Sequence, residues 1–426
     1  MSTITITAPE GPVKGTLRLP RSKSVANRAL IIASLTGDLS SVDDPGDAED
    51  TLVLRRLLEE RPAVLDCGAG GTTFRFLLAW AAVQEGEERL LTGIPRLLER
   101  PHNDLIEGLR KLGADIERTA GGCRVRGRRM EGGNVHFDSP VSSQFLSALL
   151  LVAPRMERGL RIRWTGNRLS EPYVEMTLAM MGTFGVTPRT EPDGVRVEAG
   201  EHYVPMPFTV PPDWSAAAFW YQIAALAKEA DILLEGPIDN RLQGDRAAEQ
   251  RWAAWVDTAW TTEGIRLTGR RTAKDPEDTP IGLERTPDLF QALVFTFAGR
   301  RLGARFTGLD NLPLKETDRL QATADALRAF GLTCSYDKTA FTLSAPDAPP
   351  TPTGARPFDP QGDHRMAMAL APMALVAGPV TLSDPAVTGK SYPGFWEDLQ
   401  TTGFGVAHRS GDPTAGAASP FTPLRP

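Results

Sequence analysis

At 426 residues the chain is longer than one hydrophobic core usually serves, so two domains are expected. Its 41% hydrophobic and 23% charged residues fit a water-soluble protein, and a net charge of −6 argues against the general basic face that nucleic-acid binding wants. No apolar run reaches the ~18 residues of a membrane span, the opening lacks a signal peptide's charged start and apolar middle, and three scattered cysteines with five histidines suit neither a disulfide framework nor a zinc site built mainly from imidazoles; the cytoplasm is the expected compartment.

Residues 1–6 alternate as a strand does, and 16–19 form a second short strand. Helical periodicity follows at 48–59, 72–83, 103–112, 142–152, 174–184, 215–227, 288–297, 316–330 and 364–376. Several of these stretches, such as Phe76 to Val83, are apolar nearly all round, which places them inside a domain. Trp252, Trp255 and Trp260 are expected to pack a neighbouring helix. A local plan also recurs, in which a helix ends at Gly and a strand, a turn and a second strand follow. Gly113, Gly185, Gly264, Gly331 and Gly405 mark it about every 70 residues, each suited to a left-handed helix C-cap, and an Asp193-Gly194 turn suits a hairpin. We read a β/α unit of several elements, used about six times. The break between two lobes should fall near Val210-Pro211-Pro212. Residues 273–280, 346–357 and the tail from Ser410 are rich in Pro, Gly, Ala or Asp and are expected to be poorly ordered, the tail mobile.

Many helices open with residues that cap: Thr72-Thr73, Ser142-Ser143, Ser215, Asp288 and Asp363. Capping alone accounts for Ser215. For the others, buried helices can also aim their positive N-termini at one cleft and add to its pull on anions. Nine Lys and Arg residues lie in six short strings. These are Arg21-Ser22-Lys23-Ser24-Val25-Ala26-Asn27-Arg28, Gly70-Gly71-Thr72-Thr73-Phe74-Arg75, Glu99-Arg100-Pro101, Lys315-Glu316-Thr317-Asp318-Arg319, Asp363-His364-Arg365 and Gly389-Lys390-Ser391. A solvated charged turn is the commoner fate of any one of them. Gly68 to Thr73 is neither a P-loop nor a dinucleotide fingerprint, so a plain tight turn competes with a backbone approach to a ligand. Lys315 and Arg319, four apart at a helix start, are expected to share a face. Arg365 heads an apolar helix, where capping does not explain it and a buried charge needs partners. If the strings converge, they form one pocket for a small polyanion.

Taken together and in order, Ser22-Lys23-Ser24 with Asn27-Arg28-Ala29-Leu30, Glu99-Arg100-Pro101, Ser142-Ser143-Gln144-Phe145-Leu146, Lys315 to Arg319 and Asp363 to Met368 resemble the 3-phosphoshikimate 1-carboxyvinyltransferase (5-enolpyruvylshikimate-3-phosphate synthase) family. The resemblance covers the chain to about Gly403. It implies an α/β, two-domain enolpyruvyl transferase fold, an inside-out α/β barrel in which each domain holds three β-α-β-α-β-β repeats around buried helices. The first lobe would be 21–211 and the second 1–20 plus 212–409, with 410–426 a mobile tail. The implied reaction transfers the enolpyruvyl group of phosphoenolpyruvate to the 5-hydroxyl of shikimate 3-phosphate and releases phosphate, with no metal or organic cofactor, in a monomer. Residue by residue, the resemblance assigns shikimate 3-phosphate to Lys23, Ser24, Arg28, Ser142, Ser143, Gln144, Ser170, Tyr173, Asp288, Asn311 and Lys315. It assigns phosphoenolpyruvate to Lys23, Gly71, Arg100, Gln144, Arg319, Arg365 and Lys390. Asp288 would take the 5-hydroxyl proton, and Glu316 or Lys23 would protonate the enol methylene. Glu316 among cations is held toward its ionised form, which opposes an acid role unless bound anions reverse the effect.

Some positions depart from the family pattern. Ala69 stands where many members carry Asn, Arg21 replaces a small residue, and Glu171 stands where Lys is frequent. Residues 247–262 fit only loosely. Two rival readings fit less well. The enolpyruvyl transferase acting on UDP-N-acetylglucosamine carries Lys-Asn in place of Lys23-Ser24 and a loop cysteine near Arg100, and 94–101 holds none. A catalytically silent phosphometabolite sensor is disfavoured by the presence of both Asp288 and Glu316. Because the strings lie in both halves, cation repulsion should hold the lobes apart and bound anions should draw them together.

Overall fold

The computed structural model describes residues 2–166, 170–236, 242–270 and 280–409. The tail 410–426 and residues 273–279 of the expected irregular stretch lie outside the described residues. The buried apolar side chains fall into two clusters. One runs from Val25 to Val210. The other joins Ile4 to Leu19 with Trp214 to Phe404. The chain passes between them twice, and the two passages bond to each other: Ser22 N donates to Pro211 O at 2.8 Å and Asp213 N to Pro20 O at 2.9 Å.

Helices lie inside and sheets outside, as the all-round apolar runs require. Every residue of helix Trp214–Leu226 is buried, and so are all but Thr72 in helix Gly71–Ala82. The strands instead alternate; Ala230–Glu235 buries every second residue. Among the described residues there are four four-stranded sheets, one of three strands and one of two. Each four-stranded sheet repeats a pattern. Val64–Asp66 runs parallel to Glu88–Thr92, which pairs antiparallel with Gly122–Arg126, itself the partner of Asp115–Thr119. The same order recurs from Gly133–Asp138 to Gly194–Val197, from Ile281–Gly282 to Ala340–Leu343, and from Val13–Leu17 to Gly264–Gly269. In the last of these the whole 25–210 core is inserted after the first strand. The fifth unit closes the chain on itself, with Thr3–Thr7 between Val380–Ser383 and Gly405–Arg409. The sixth is reduced to Val42–Asp43 beside Phe208–Thr209.

The glycine markers divide into two kinds. Gly113, Gly185 and Gly331 follow helices with φ of +107°, +90° and +77°, as left-handed caps do. Gly264 and Gly405 do not cap helices; each begins a strand, and Gly403, at φ +97°, makes the last turn. Gly264 belongs with Gly122 and Gly194. A Cβ at any of the three would fall onto a carbonyl oxygen of the neighbouring strand, from Leu234, Leu91 and Ile162 in turn. The hairpin turn is Pro192-Asp193, with Gly194 already paired to Glu191. Trp252 and Trp255 pack helix Phe290–Gly299 as expected, Trp252 Nε1 donating to Thr296 Oγ1 at 3.0 Å and Trp255 meeting Phe297 edge-on. Trp260 packs a different helix, its ring 6.1 Å from that of Trp214 in Trp214–Leu226, and it stays 41% exposed under the Arg246 guanidinium.

Candidate active site

A cavity lies between the two cores, walled by side chains of both. Helices beginning at Lys23, Gly71, Ser143, Glu171, Arg319 and His364 each put a first-turn or cap residue on its wall, so their N-terminal dipoles converge there. The caps differ in part from those expected. Ser142 and Asp363 do cap, accepting from Gln144 N and Arg365 N. Gly70 rather than a threonine precedes the second of these helices, and Asp213 caps Trp214–Leu226 by accepting from Ser215 N. Asp288 caps nothing; it sits in the 3-10 turn Pro287–Leu289 ahead of its helix.

From the first core, Lys23 Nζ reaches Asp50 Oδ2 at 2.9 Å. Arg28 is buried, with four hydrogen bonds to Thr177 Oγ1, Ser24 O, Ser147 Oγ and Tyr173 O. Burial pushes its guanidinium down to about 10, still cationic at neutral pH. Gly71 lets Arg100 lie flat across a helix start, since a Cβ there would stand 2.9 Å from the Arg100 Cζ. Arg100 Nε in turn donates to Leu314 O of the second core at 3.3 Å. Gln144 Oε1 accepts from Arg75 Nη1 at 2.6 Å, which leaves its NH2 as the group to offer a ligand. Ser24, Ser142 and Ser143 complete this wall.

Ser170 and Tyr173 join the two cores. Ser170 N donates to Glu284 O at 2.7 Å, its Oγ accepts from Asn311 Nδ2 at 3.2 Å, and Tyr173 OH donates to Asp288 Oδ2 at 2.9 Å. In the second core Arg319 is the centre. It is 2% exposed and spans three carboxylates: Asp288 at 2.8 Å, Asp363 at 2.7 Å and Glu316 at 3.0 Å. Lys315 and Arg365 also face Asp288, at 3.5 and 3.3 Å. Lys315 and Arg319 do not share a helix face, because the helix begins only at Arg319 behind its Asp318 cap; they converge on Asp288 from an extended residue and a helical one. Lys390 is not on the cavity wall. Its Nζ rests on Gly362 O at 3.2 Å.

Burial drives the Asp288 carboxyl up, but Arg365, Lys315 and Arg319 outweigh it and hold the group well below the usual carboxylate range. Glu316 behaves alike: burial opposes ionisation, and Arg319 and Arg100, with Lys390, overcome it. Burial lowers the Lys315 ammonium. For Lys23, burial is offset by Asp50 and Glu316, and its pKa is raised. Burial first, then Lys23, holds His364 neutral, well below an ordinary imidazole. Six cations (Lys23, Arg28, Arg100, Lys315, Arg319, Arg365) and three carboxylates (Asp50, Asp288, Glu316) thus face one small space, an arrangement made for anions with two ionised acids among them. Sequence reasoning passed over Asp50, which carried only the weak signal of an acid in a helix's first turn, and gave no substrate role to Thr72 or His364, although both lay inside strings already chosen.

A family model for EPSP synthase (3-phosphoshikimate 1-carboxyvinyltransferase) matches residues 7–60 and 54–399. The chain belongs to the EPSP synthase family. A 3-phosphoshikimate 1-carboxyvinyltransferase of Bacteroides fragilis (strain ATCC 25285) is 39% identical over 400 residues, covering 92% of this chain and 96% of the relative. One of Methanoculleus marisnigri is 33% identical over 423 residues, covering 92% and 98%. The fold is shared with a structure of EPSP synthase from Acinetobacter baumannii, at TM-score 0.73 and 23% identity over 96% of this chain and all of that one. It is shared as well with the enolpyruvyl transferase NikO from Streptomyces tendae, at TM-score 0.70 and 16% identity over 96% and 99%. The inside-out arrangement of buried helices and outer sheets described above is therefore the enolpyruvyl transferase fold of the EPSP synthase family.

Proposed function

We propose that this protein transfers the enolpyruvyl group of phosphoenolpyruvate to the 5-hydroxyl of shikimate 3-phosphate, releasing inorganic phosphate, as an enzyme of the shikimate route to chorismate and the aromatic amino acids. The observation that carries the proposal is the cavity itself, where cations from both cores surround two ionised carboxylates. Two lobes, 21–211 and 1–20 plus 212–409, are supported by the two separate apolar clusters. Three free thiols suit the cytoplasm, and we take the working unit to be a monomer.

In this reading Ser24, Ser142, Ser143, Ser170, Asn311 and the Gln144 amide bind shikimate 3-phosphate, with Arg28 supplying charge and Tyr173 a wall. Arg100, Arg319 and Arg365 grip the carboxylate and phosphate of phosphoenolpyruvate bidentately, Arg100 from its place across Gly71, and Lys23 adds a point charge to both substrates. The ionised Asp288 accepts the 5-hydroxyl proton while the oxygen attacks C2 of phosphoenolpyruvate and C3 gains a proton, giving a tetrahedral intermediate. Return of a methyl proton to the protein and cleavage of the bond between C2 and the phosphate oxygen then release phosphate, which carries off the proton held by Asp288. Asp288 and Glu316 are weak bases while cations surround them. Substrate anions that draw off those same guanidinium groups raise both pKa values toward the working range. Glu316, or Lys23 beside it, then shuttles the methylene proton. The test is phosphate release by purified protein: release that needs both substrates together supports the assignment, and none under any substrate pair overturns it.

A further inference from the structure

Residues 242–247 straddle the two cores, Leu242 packing against the first and Ala247 against the second. Between them, Gly244 meets the ring of Pro172, in the first turn of helix Glu171–Thr183 of the other core. A Cβ at 244 would overlap Pro172 Cβ and stand 2.8 Å from its Cγ. Carbon atoms in contact need about 3.5–4.0 Å, so one side would have to move by roughly an ångström. Neither side is free to do so. Gln243 is tied down through Nε2 to Asp213 Oδ1 at 2.6 Å and accepts from Trp214 N at 3.0 Å. Buried Asp245 accepts from Ser215 Oγ. On the far side a proline ring cannot swing away, and Tyr173, the next residue, donates to Asp288. The backbone at Gly244 lies outside the left-handed region, so nothing local to the turn demands glycine. Only the approach of the other lobe does.

We propose that Gly244 is a positioning residue, the bare seat on which Pro172 settles when the lobes close, and that closure to this depth is what brings Tyr173 against Asp288. The inference deepens the transferase reading and rests on it for turnover alone. A side chain at 244 wedges the cleft at its shikimate-3-phosphate end and displaces the Tyr173 side of the cavity by about 1 Å, a misplacement that can cost on the order of 100-fold in rate.

The experiment compares wild type, Gly244→Ala and the double variant Gly244→Ala with Pro172→Gly, which removes the opposing ring. The expected result is a fall of about 100-fold in kcat/KM for phosphoenolpyruvate in the single variant, an unchanged melting midpoint, and recovery of at least about tenfold in the double variant. Wild-type turnover in Gly244→Ala, or a loss that Pro172→Gly does not relieve, overturns the proposal. So does a drop of more than about 4 °C in Tm, which would make Gly244 a requirement of the fold instead. Small-angle scattering on both proteins, with and without shikimate 3-phosphate, separates this from the enzyme assignment. Even if wild type turns over neither substrate, a larger radius of gyration for Gly244→Ala in whichever of these states leaves wild type the more compact supports the seat, and superimposable curves in that state overturn it.

Discussion

Asp288 carries more opposing charge than any other carboxylate of the cavity, with Arg319, Lys315 and Arg365 all within 3.5 Å. Asp288→Asn keeps the shape and removes the proton acceptor, and Glu316→Gln does the same at the second acid. We expect each to lower kcat by about 10²–10⁴; near-normal turnover in either would end its assigned role. A pH effect on stability follows from His102. Burial first, then Arg75, pushes its imidazole down to about 3, while Nε2 meets Leu97 O at 2.9 Å. The unfolded chain protonates this histidine near its ordinary value of about 6.5, so between there and 3 the unfolded state binds more protons. The contribution of His102 is therefore complete above about 6.5 and lost as pH falls, by at most about 1.4 kcal/mol per unit. Urea midpoints should fall from pH 7 to pH 5, and His102→Gln should flatten that slope; equal slopes would refute the account. Sequence made the cations legible because they recur beside small and hydroxyl residues. It did not reveal Asp50 or the Arg75–Gln144 bond, because those depend on which helix starts meet, and no local pattern records that.

At the level of elements, the repeat was visible through its glycines, but one class of glycine hid inside another. Gly113, Gly185 and Gly331 mark chain reversals, which a helix followed by Gly announces. Gly264 sits at the same point of the repeat but is a strand glycine facing a neighbour's carbonyl, as Gly122 and Gly194 are. Only the pairing register tells the two apart. Gly194→Ala should then be costly although its φ is unremarkable. The methyl would fall on Ile162 O and pry two strands apart, for about 1–3 kcal/mol in an equilibrium urea unfolding curve. Exposed Gly182, where an added Cβ meets nothing within 4 Å, is the control, and Gly182→Ala should match or slightly exceed wild type. A Gly194→Ala protein as stable as wild type would mean that the strands tolerate the shift. Helix starts were harder to read than helix bodies. Asp288 and Lys315 both precede the helices expected to hold them: Asp288 lies in the 3-10 turn Pro287–Leu289, and Lys315 is an extended residue between the turn Leu312–Leu314 and the Asp318 cap.

At the scale of the molecule, two cores with the charged cavity between them make affinity and closure the same event. Surface ion pairs across the seam are too exposed to drive it. Arg285 reaches Glu171 at 2.8 Å and Glu175 at 2.9 Å, but its side chain is 56% exposed, and such pairs are worth about 0–1 kcal/mol. Arg285→Ala should leave kcat/KM within about threefold of wild type. The inner contacts are few and directional: Asn311 to Ser170, Tyr173 to Asp288, Arg100 to Leu314 O. The carboxylates Asp50, Asp288 and Glu316 offset part of the cationic wall, so repulsion between lobes is weaker than a count of Lys and Arg alone suggests. Six cations against three carboxylates still leave an excess for a substrate to neutralise, and a phosphate and a carboxylate placed between the cores bind both at once. Shikimate 3-phosphate with phosphoenolpyruvate should therefore contract the radius of gyration in solution, shikimate 3-phosphate alone should do so in part, and raising ionic strength should weaken the first contact more than the closed complex. An unchanged scattering profile with both substrates present, in protein that turns them over, would show that the cavity is closed before they arrive and that chemistry does not wait on the lobes.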